Sequence, residues 1–175
     1  SGTGEKQEDH RQTQGTDWTV FRGNTGLTGY TDAVIPEDPA LLWRFKTGND
    51  VKATPVVHDS VIYIGSTDGI LYALRLADGS EIWRFDAGDD IEAPALYLNN
   101  AVYFGSLSGY FYAVDASNGN LKWKYETEGQ IAGSANYLRS EESERFQILV
   151  GSYDNKLYCC EADSGRLEWS YDTEN

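Results

Sequence analysis

Val61-Ile62-Tyr63-Ile64-Gly65-Ser66-Thr67-Asp68-Gly69-Ile70-Leu71-Tyr72-Ala73-Leu74, followed by Ala77-Asp78-Gly79 and Glu81-Ile82-Trp83-Arg84-Phe85, is a pattern that this chain states three times. Forty residues on, Tyr63, Gly65, Ser66, Gly69, Tyr72, Ala73, Gly79 and Trp83 become Tyr103, Gly105, Ser106, Gly109, Tyr112, Ala113, Gly119 and Trp123. The third copy runs from Ile148-Leu149-Val150-Gly151-Ser152 through Tyr158 and Gly165 to Trp169. Its spacing is forty-six because residues 139–145, Arg-Ser-Glu-Glu-Ser-Glu-Arg, enlarge one turn. A period of about 40 residues holding four short strands is the signature of propeller blades.

Each copy divides into four strands joined by tight turns. Asp68-Gly69, Ser108-Gly109 and Asp154-Asn155 supply the positive φ that a two-residue hairpin needs, and Asp78-Gly79, Asn118-Gly119 and Ser164-Gly165 do so one turn later. The first strands are expected near Ala53 to Val57, Ala93 to Tyr97 and Gly133 to Tyr137; their small leading residues place them at the crowded centre of a ring, with the Trp strands outermost. Both alternating sets of a second strand such as Ile62-Tyr63-Ile64 are apolar, as expected when both faces of a blade are covered. The reading is an all-β propeller with antiparallel blades over residues 51–87, 91–127 and 131–173. Leu41-Leu42-Trp43-Arg44-Phe45-Lys46-Thr47 matches the Trp strands but has no first three strands before it, and so is expected to be an orphan outer strand.

Residues 17–40 form an irregular lead-in that opens on Trp18-Thr19-Val20-Phe21-Arg22-Gly23, in which Arg22 is read as packed on an aromatic ring. Residues 1–16 hold no Val, Ile, Leu, Phe, Tyr or Trp and are read as a flexible polar tether, the kind of segment that follows a lipid anchor at the start of an exported domain. A net charge of -14 disfavours nucleic acid, whose phosphates are bound by Lys and Arg, and disfavours anionic membrane surfaces. No apolar run reaches the roughly 18 to 20 residues of a membrane span.

The repeat Gly-Ser-x-x-Gly/Asn-x-x-Tyr-Ala, then x-Gly-x-x-x-Trp, resembles that of the pyrroloquinoline-quinone-type propellers, and Trp18-x-x-Phe21-Arg22-Gly23 is similar to the lead-in of many of them. That family includes quinone-dependent alcohol and sugar dehydrogenases and the outer-membrane assembly lipoprotein. The resemblance implies that Gly79, Trp83, Gly119, Trp123, Gly165 and Trp169 are docking positions between blades. It also implies that the strand around Trp43 completes the last blade of a seven- or eight-blade ring. The missing blades then come from the remainder of a longer protein, or alternatively from other copies of the chain. The function it implies is a non-catalytic, exported, protein-binding scaffold in the periplasm or at the cell surface. Two alternatives stand beside it: a quinone- and calcium-dependent dehydrogenase with its ligands in other blades, and the extracellular sensor of a signalling protein.

No catalytic, cofactor or metal residue is assigned. Cys159-Cys160 invites comparison with the vicinal disulfide of the family's alcohol dehydrogenases, yet the pair occupies third-strand positions whose side chains diverge, which makes two small core thiols the expected reading. Glu92, Asn136 and Asp154 are of the right kind for calcium, but their spacing does not single them out. His10 lies in the tether and His58 is expected in a turn. Asp50, Asp89, Asp90 and Glu92 are placed near the ring's central rim, as solvated turn residues. The insertion, with Arg139, Glu141, Glu142, Glu144 and Arg145, is the candidate partner loop.

Overall fold

The computed structural model describes residues 17–31, 37–140 and 145–173. The tether and Glu141, Glu142 and Glu144 of the candidate loop lie outside the described residues.

Twelve strands form three antiparallel sheets, each a meander in chain order. The first blade is β1 (Val56–His58), β2 (Val61–Gly65), β3 (Ile70–Arg75) and β4 (Glu81–Asp86). The second is β5 (Leu96–Leu98), β6 (Ala101–Gly105), β7 (Tyr110–Asp115) and β8 (Leu121–Glu126). The third is β9 (Asn136–Arg139), β10 (Phe146–Ser152), β11 (Lys156–Glu161) and β12 (Leu167–Asp172). The register repeats with the sequence: Tyr63 faces Ala73, Tyr103 faces Ala113, and Leu149 faces Cys159. Each third strand shifts register against its fourth at the same place, between Ala73 and Leu74, Ala113 and Val114, and Cys159 and Cys160. These are the blades of a β-propeller.

Gly69, Gly109 and Asn155 adopt φ of 81°, 85° and 64°, the left-handed conformation that the hairpin turns require. The first strands start later than the sequence suggests. Pro55 and Pro94 have no N–H to donate to a ladder, and pairing begins only after them. His58 closes β1 rather than sitting in the turn, which is formed by Asp59 and Ser60 at φ 46° and 63°.

Apolar side chains fill the spaces between blades. Between the first and second, Tyr63, Leu71, Ala73 and Trp83 meet Val102, Phe104, Tyr112 and Val114; between the second and third, Tyr103, Phe111, Ala113 and Trp123 meet Ile148, Val150 and Tyr158. Burying a large side chain of this kind contributes roughly 1.5 to 3 kcal/mol. The seams between blades are therefore the core.

The lead-in binds the hub. Trp18 exchanges both backbone hydrogen bonds with Val57 of β1, the Tyr97 N–H of β5 donates to the Thr19 carbonyl, and the Asn136 amide of β9 donates to the Thr25 carbonyl at 3.1 Å. Val20 is buried in the core between the second and third blades. One irregular segment thus crosses the first strands of all three blades. Arg22 lies over the Phe21 ring, 5.6 Å from its centroid, with its own φ at 61°.

The expected orphan strand is different from a strand. Trp43 takes the position of an outer-strand Trp, but residues 41–47 form no ladder, because no third strand lies beside them among the described residues.

Candidate functional site

The groups that recur in the sequence converge at the joints between blades, where each joint is a Trp set into a glycine turn. The Trp83 indole donates to the Ala116 carbonyl at 2.9 Å, and the Trp123 indole donates to the Ala162 carbonyl at 2.8 Å. A Cβ on Gly119 would come within 2.6 Å of the Trp83 ring, and one on Gly165 within 2.5 Å of the Trp123 ring. Both glycines also hold φ near 70°, so the position excludes a side chain twice over. Trp43 docks on the first blade in the same way, bonding the Leu76 carbonyl at 2.9 Å and packing on Gly79. Among the described residues Trp169 meets no such turn, and it is 42% exposed, against 8% for Trp83 and 9% for Trp123.

A second donor reinforces the two complete joints. Tyr63 and Tyr103 donate to the same carbonyls, of Ala116 and Ala162, at 3.3 and 3.1 Å. Burial, followed by the nearby Tyr97, pushes the Tyr63 phenol up to about 12, and burial raises Tyr103 as well. Further in, Ile91 packs into the space left by Gly65, and its N–H donates to the Ser66 carbonyl at 3.1 Å. Ile131 repeats this against Gly105 and Ser106. Ser66 Oγ donates to the Asp50 carbonyl at 3.1 Å, whereas Ser106 Oγ bonds Ser108 Oγ and the Tyr110 carbonyl within its own hairpin, so it is the serine carbonyls that recur in the joints.

The joints also carry an acidic clasp that alternates. Asp68 accepts from the Tyr72 hydroxyl at 2.7 Å and the Gly48 N–H at 2.6 Å; Asp154 accepts from the Tyr158 hydroxyl at 2.6 Å and the Glu128 N–H at 3.0 Å. Burial alone would raise these carboxylates, but the hydroxyl and backbone donors outweigh it and hold both below their ordinary range. The second blade has Ser108 at this position, and Tyr112 bonds the Ala87 carbonyl directly at 3.1 Å. A polar cavity of about 630 Å³ opens beside Ser108, lined also by Glu126, Thr127, Glu128 and Gln130.

The remaining candidates are engaged one by one. Cys159 and Cys160 are free buried thiols inside β11, and burial raises them to about 11 and 12, which keeps both protonated and inert. Glu92 pairs with Lys52 at 2.6 Å, Asn136 binds the lead-in, and Asp154 holds its clasp. These residues do not fit a quinone with calcium: the three oxygen ligands serve three different contacts, and the thiols lie on opposite faces of a strand. The Asp50 carbonyl accepts from Thr67 N–H, and the Asp89 carboxylate from Asp90 N–H. Arg145 pairs with Glu161 at 3.0 Å, and Arg139 lies over the Phe146 ring.

Sequence reasoning missed one cluster. His58 Nδ1 lies 2.8 Å from Asp17, its Nε2 lies 3.6 Å from Asp59, and its ring stacks on Tyr97 at 3.8 Å. Asp17 comes from the lead-in, so the cluster ties that segment to the first blade, and no local pattern joins positions forty-one apart. The Ile-into-Gly contacts were missed as well, and the signal that could have found them is the forty-residue recurrence of Val51, Ile91 and Ile131.

With this geometry in place, the comparisons with known proteins are decisive for the family. A family model described as outer membrane protein assembly factor BamB matches residues 28–175. The chain belongs to this family. The assignment agrees with the pyrroloquinoline-quinone-like repeat, since its solved relatives include both branches. BamB from Moraxella catarrhalis is 23% identical, with a TM-score of 0.61 over 74% of this chain and 39% of that one. A quinohemoprotein alcohol dehydrogenase from Pseudomonas putida HK5 is 21% identical, with a TM-score of 0.72 over 89% of this chain and 26% of that one. The quinohemoprotein alcohol dehydrogenase of Comamonas testosteroni is 20% identical, with a TM-score of 0.70 over 89% and 27%. The chain therefore spans about a quarter to two fifths of the length of these structures. No curated protein matches it. Among the described residues, no helix is long and apolar enough to cross a membrane.

Proposed function

We propose that this chain is part of a non-catalytic, exported propeller that binds another protein, in the periplasm or at the cell surface. The observation that carries this reading is where the repeated groups go. The Tyr, Trp and Gly of the repeat are used between blades, which leaves recognition to what the repeat does not include. The insertion at residues 139–145 is the place where one blade departs in length from the others. The match to the BamB family model over residues 28–175 supports a role in protein assembly, with further blades closing the ring.

The dehydrogenase reading draws on fold likeness to the quinohemoproteins. It requires quinone and calcium ligands in other blades, since those described here do not fit. The sensor reading has no particular residue in its favour.

The test is photo-crosslinking in the native host, with the photoreactive side chain at Ser140 in the full-length protein. A discrete adduct with an outer-membrane assembly component is the expected result. A quinone absorbance band in the purified protein, together with alcohol-dependent dye reduction, would overturn the reading.

A further inference from the structure

The turn that closes β1 departs from the repeat at two neighbouring positions. The last residue of the first strand's apolar run is Leu98 in the second blade and Leu138 in the third, but His58 in the first; the residue after it is Asn99 in the second blade and Asp59 in the first. Asp59 and Asn99 share the left-handed conformation, at φ 46° and 49°, so the turn itself is the same. The second blade closes this turn with neither an imidazole nor a carboxylate. The pair His58 and Asp59 therefore answers to something other than the repeat fold.

We propose that His58 Nε2 and the Asp59 carboxylate form an open site for a divalent cation of the zinc class, with Asp17 orienting the imidazole from behind. Asp17 comes from the lead-in, and its carboxylate is held at both oxygens: Oδ1 accepts from the Asp59 N–H at 3.2 Å, and Oδ2 lies 2.8 Å from His58 Nδ1. A carboxylate can only accept, so Nδ1 carries the proton and the neutral imidazole presents its lone pair at Nε2. This is how an outer carboxylate fixes the tautomer and direction of a metal-binding histidine. The ring is held from the side as well, stacked on Tyr97 with centroids 3.8 Å apart.

The distance on the far side of the ring separates an ion site from a hydrogen bond. Nε2 lies 3.6 Å from Asp59 Oδ2, which is too far for a hydrogen bond. Zinc bonds of about 2.0 to 2.1 Å at a tetrahedral angle put two ligand atoms about 3.4 Å apart, so the gap fits an ion between them. Imidazole nitrogen beside carboxylate oxygen suits zinc and its first-row neighbours, whereas magnesium and calcium favour oxygen throughout. Asp17, His58 and Asp59 each bring a donor atom within 4.8 Å of the others, and the Asp59 side chain is exposed, so an ion enters from solvent and completes its coordination with water.

The site is also coupled to the lead-in. Asp17 precedes Trp18, whose backbone pairs with Val57 of β1, so an ion on the imidazole that Asp17 holds favours the bound position of that segment. The net charge of -14 draws cations towards the chain as a whole.

The second blade supplies variants that remove the ligands and keep the turn: His58→Leu and Asp59→Asn install the residues found at Leu98 and Asn99. The full-length protein, labelled with 15N at histidine, is titrated with Zn2+ alone in a non-coordinating buffer, by calorimetry and by imidazole NMR, with His58→Leu assigning the resonances. The expected result is a saturable Zn2+ site whose filling shifts Nε2 and leaves Nδ1 protonated. His58→Leu should abolish it, and Asp59→Asn should weaken it by about tenfold or more. Asp17→Ala should weaken it by about 10- to 100-fold and mix the two imidazole tautomers, while Asp17→Asn, which keeps an acceptor for Nδ1, should do less. His10→Gln is the control and should change nothing. The proposal is overturned if Zn2+ binds no better than Mg2+, if Asp59→Asn leaves binding unchanged, if the ion is found on Nδ1, or if His10→Gln has the effect expected of His58→Leu. Both ring nitrogens protonated at neutral pH would overturn it too, since an imidazolium between two carboxylates has no lone pair to give.

Discussion

The seams on either side of the second blade and the open face of the third are made from nearly the same sequence, yet they behave as core and as surface. Trp123 is 9% exposed and hydrogen-bonded, while Trp169, in the same strand register, is 42% exposed. The difference lies entirely in what the neighbour supplies: a left-handed glycine, a carbonyl and an aliphatic side chain. In a repeat fold a residue's energetic role is set by the adjacent unit as much as by its own.

The sharpest way to break that comparison is truncation of the indoles. Trp83→Ala or Trp123→Ala should destabilise by about 3 to 5 kcal/mol in urea unfolding, whereas Trp169→Ala should change stability by less than about 1 kcal/mol. An equal loss at all three positions would mean that the rings stabilise their own blades and not the joints. Next in size, Gly105→Ala forces a methyl group against Ile131 and should cost about 1 to 3 kcal/mol, while Gly151→Ala, with nothing within 4 Å, should cost nothing measurable.

Tyr103→Phe removes one of the two donors to the Ala162 carbonyl and leaves the Trp123 bond in place, so the expected loss is about 0.5 to 1.5 kcal/mol. A smaller, pH-dependent loss is expected from the clasps. The Asp154 carboxyl is held below its ordinary value in the folded chain, so its stabilisation is complete above the unfolded value of about 3.9 and is lost as pH falls through the lower folded one. Urea midpoints measured from pH 6 downwards should therefore decline in the parent and decline less in Asp154→Asn. Parallel curves for the two would remove Asp154 from the joint.

What was legible in the sequence was whatever repeats. Gly79, Gly119 and Gly165, with the Trp residues forty or forty-six apart, gave the meander, the turns and the docking positions, because one local solution to packing is written several times. What could not be read was written once. Asp17 and His58 meet only because the lead-in crosses the hub. The carbonyls of Leu76, Ala116 and Ala162 leave no trace in side-chain identity, since any residue offers one. Residues 41–47 have the sequence of a strand, but a strand is defined by its partner, and the pattern that marks Trp43 carries no information about whether that partner is beside it. The alternation of Asp68, Ser108 and Asp154 was visible, but its meaning depended on the Gly48 and Glu128 N–H groups of the preceding loops.

The lead-in also affects the order in which the chain can assemble. During synthesis Trp18 emerges before these three blades, but its backbone partner is Val57, and Thr25 must wait for Asn136, 111 residues further on. The blades are local meanders that close quickly, whereas this contact has to bridge a long stretch of chain and pays the loop-closure entropy last. The lead-in is thus made ahead of these three blades yet fastened after them, and the ribosome must deliver all three before this contact can be tied.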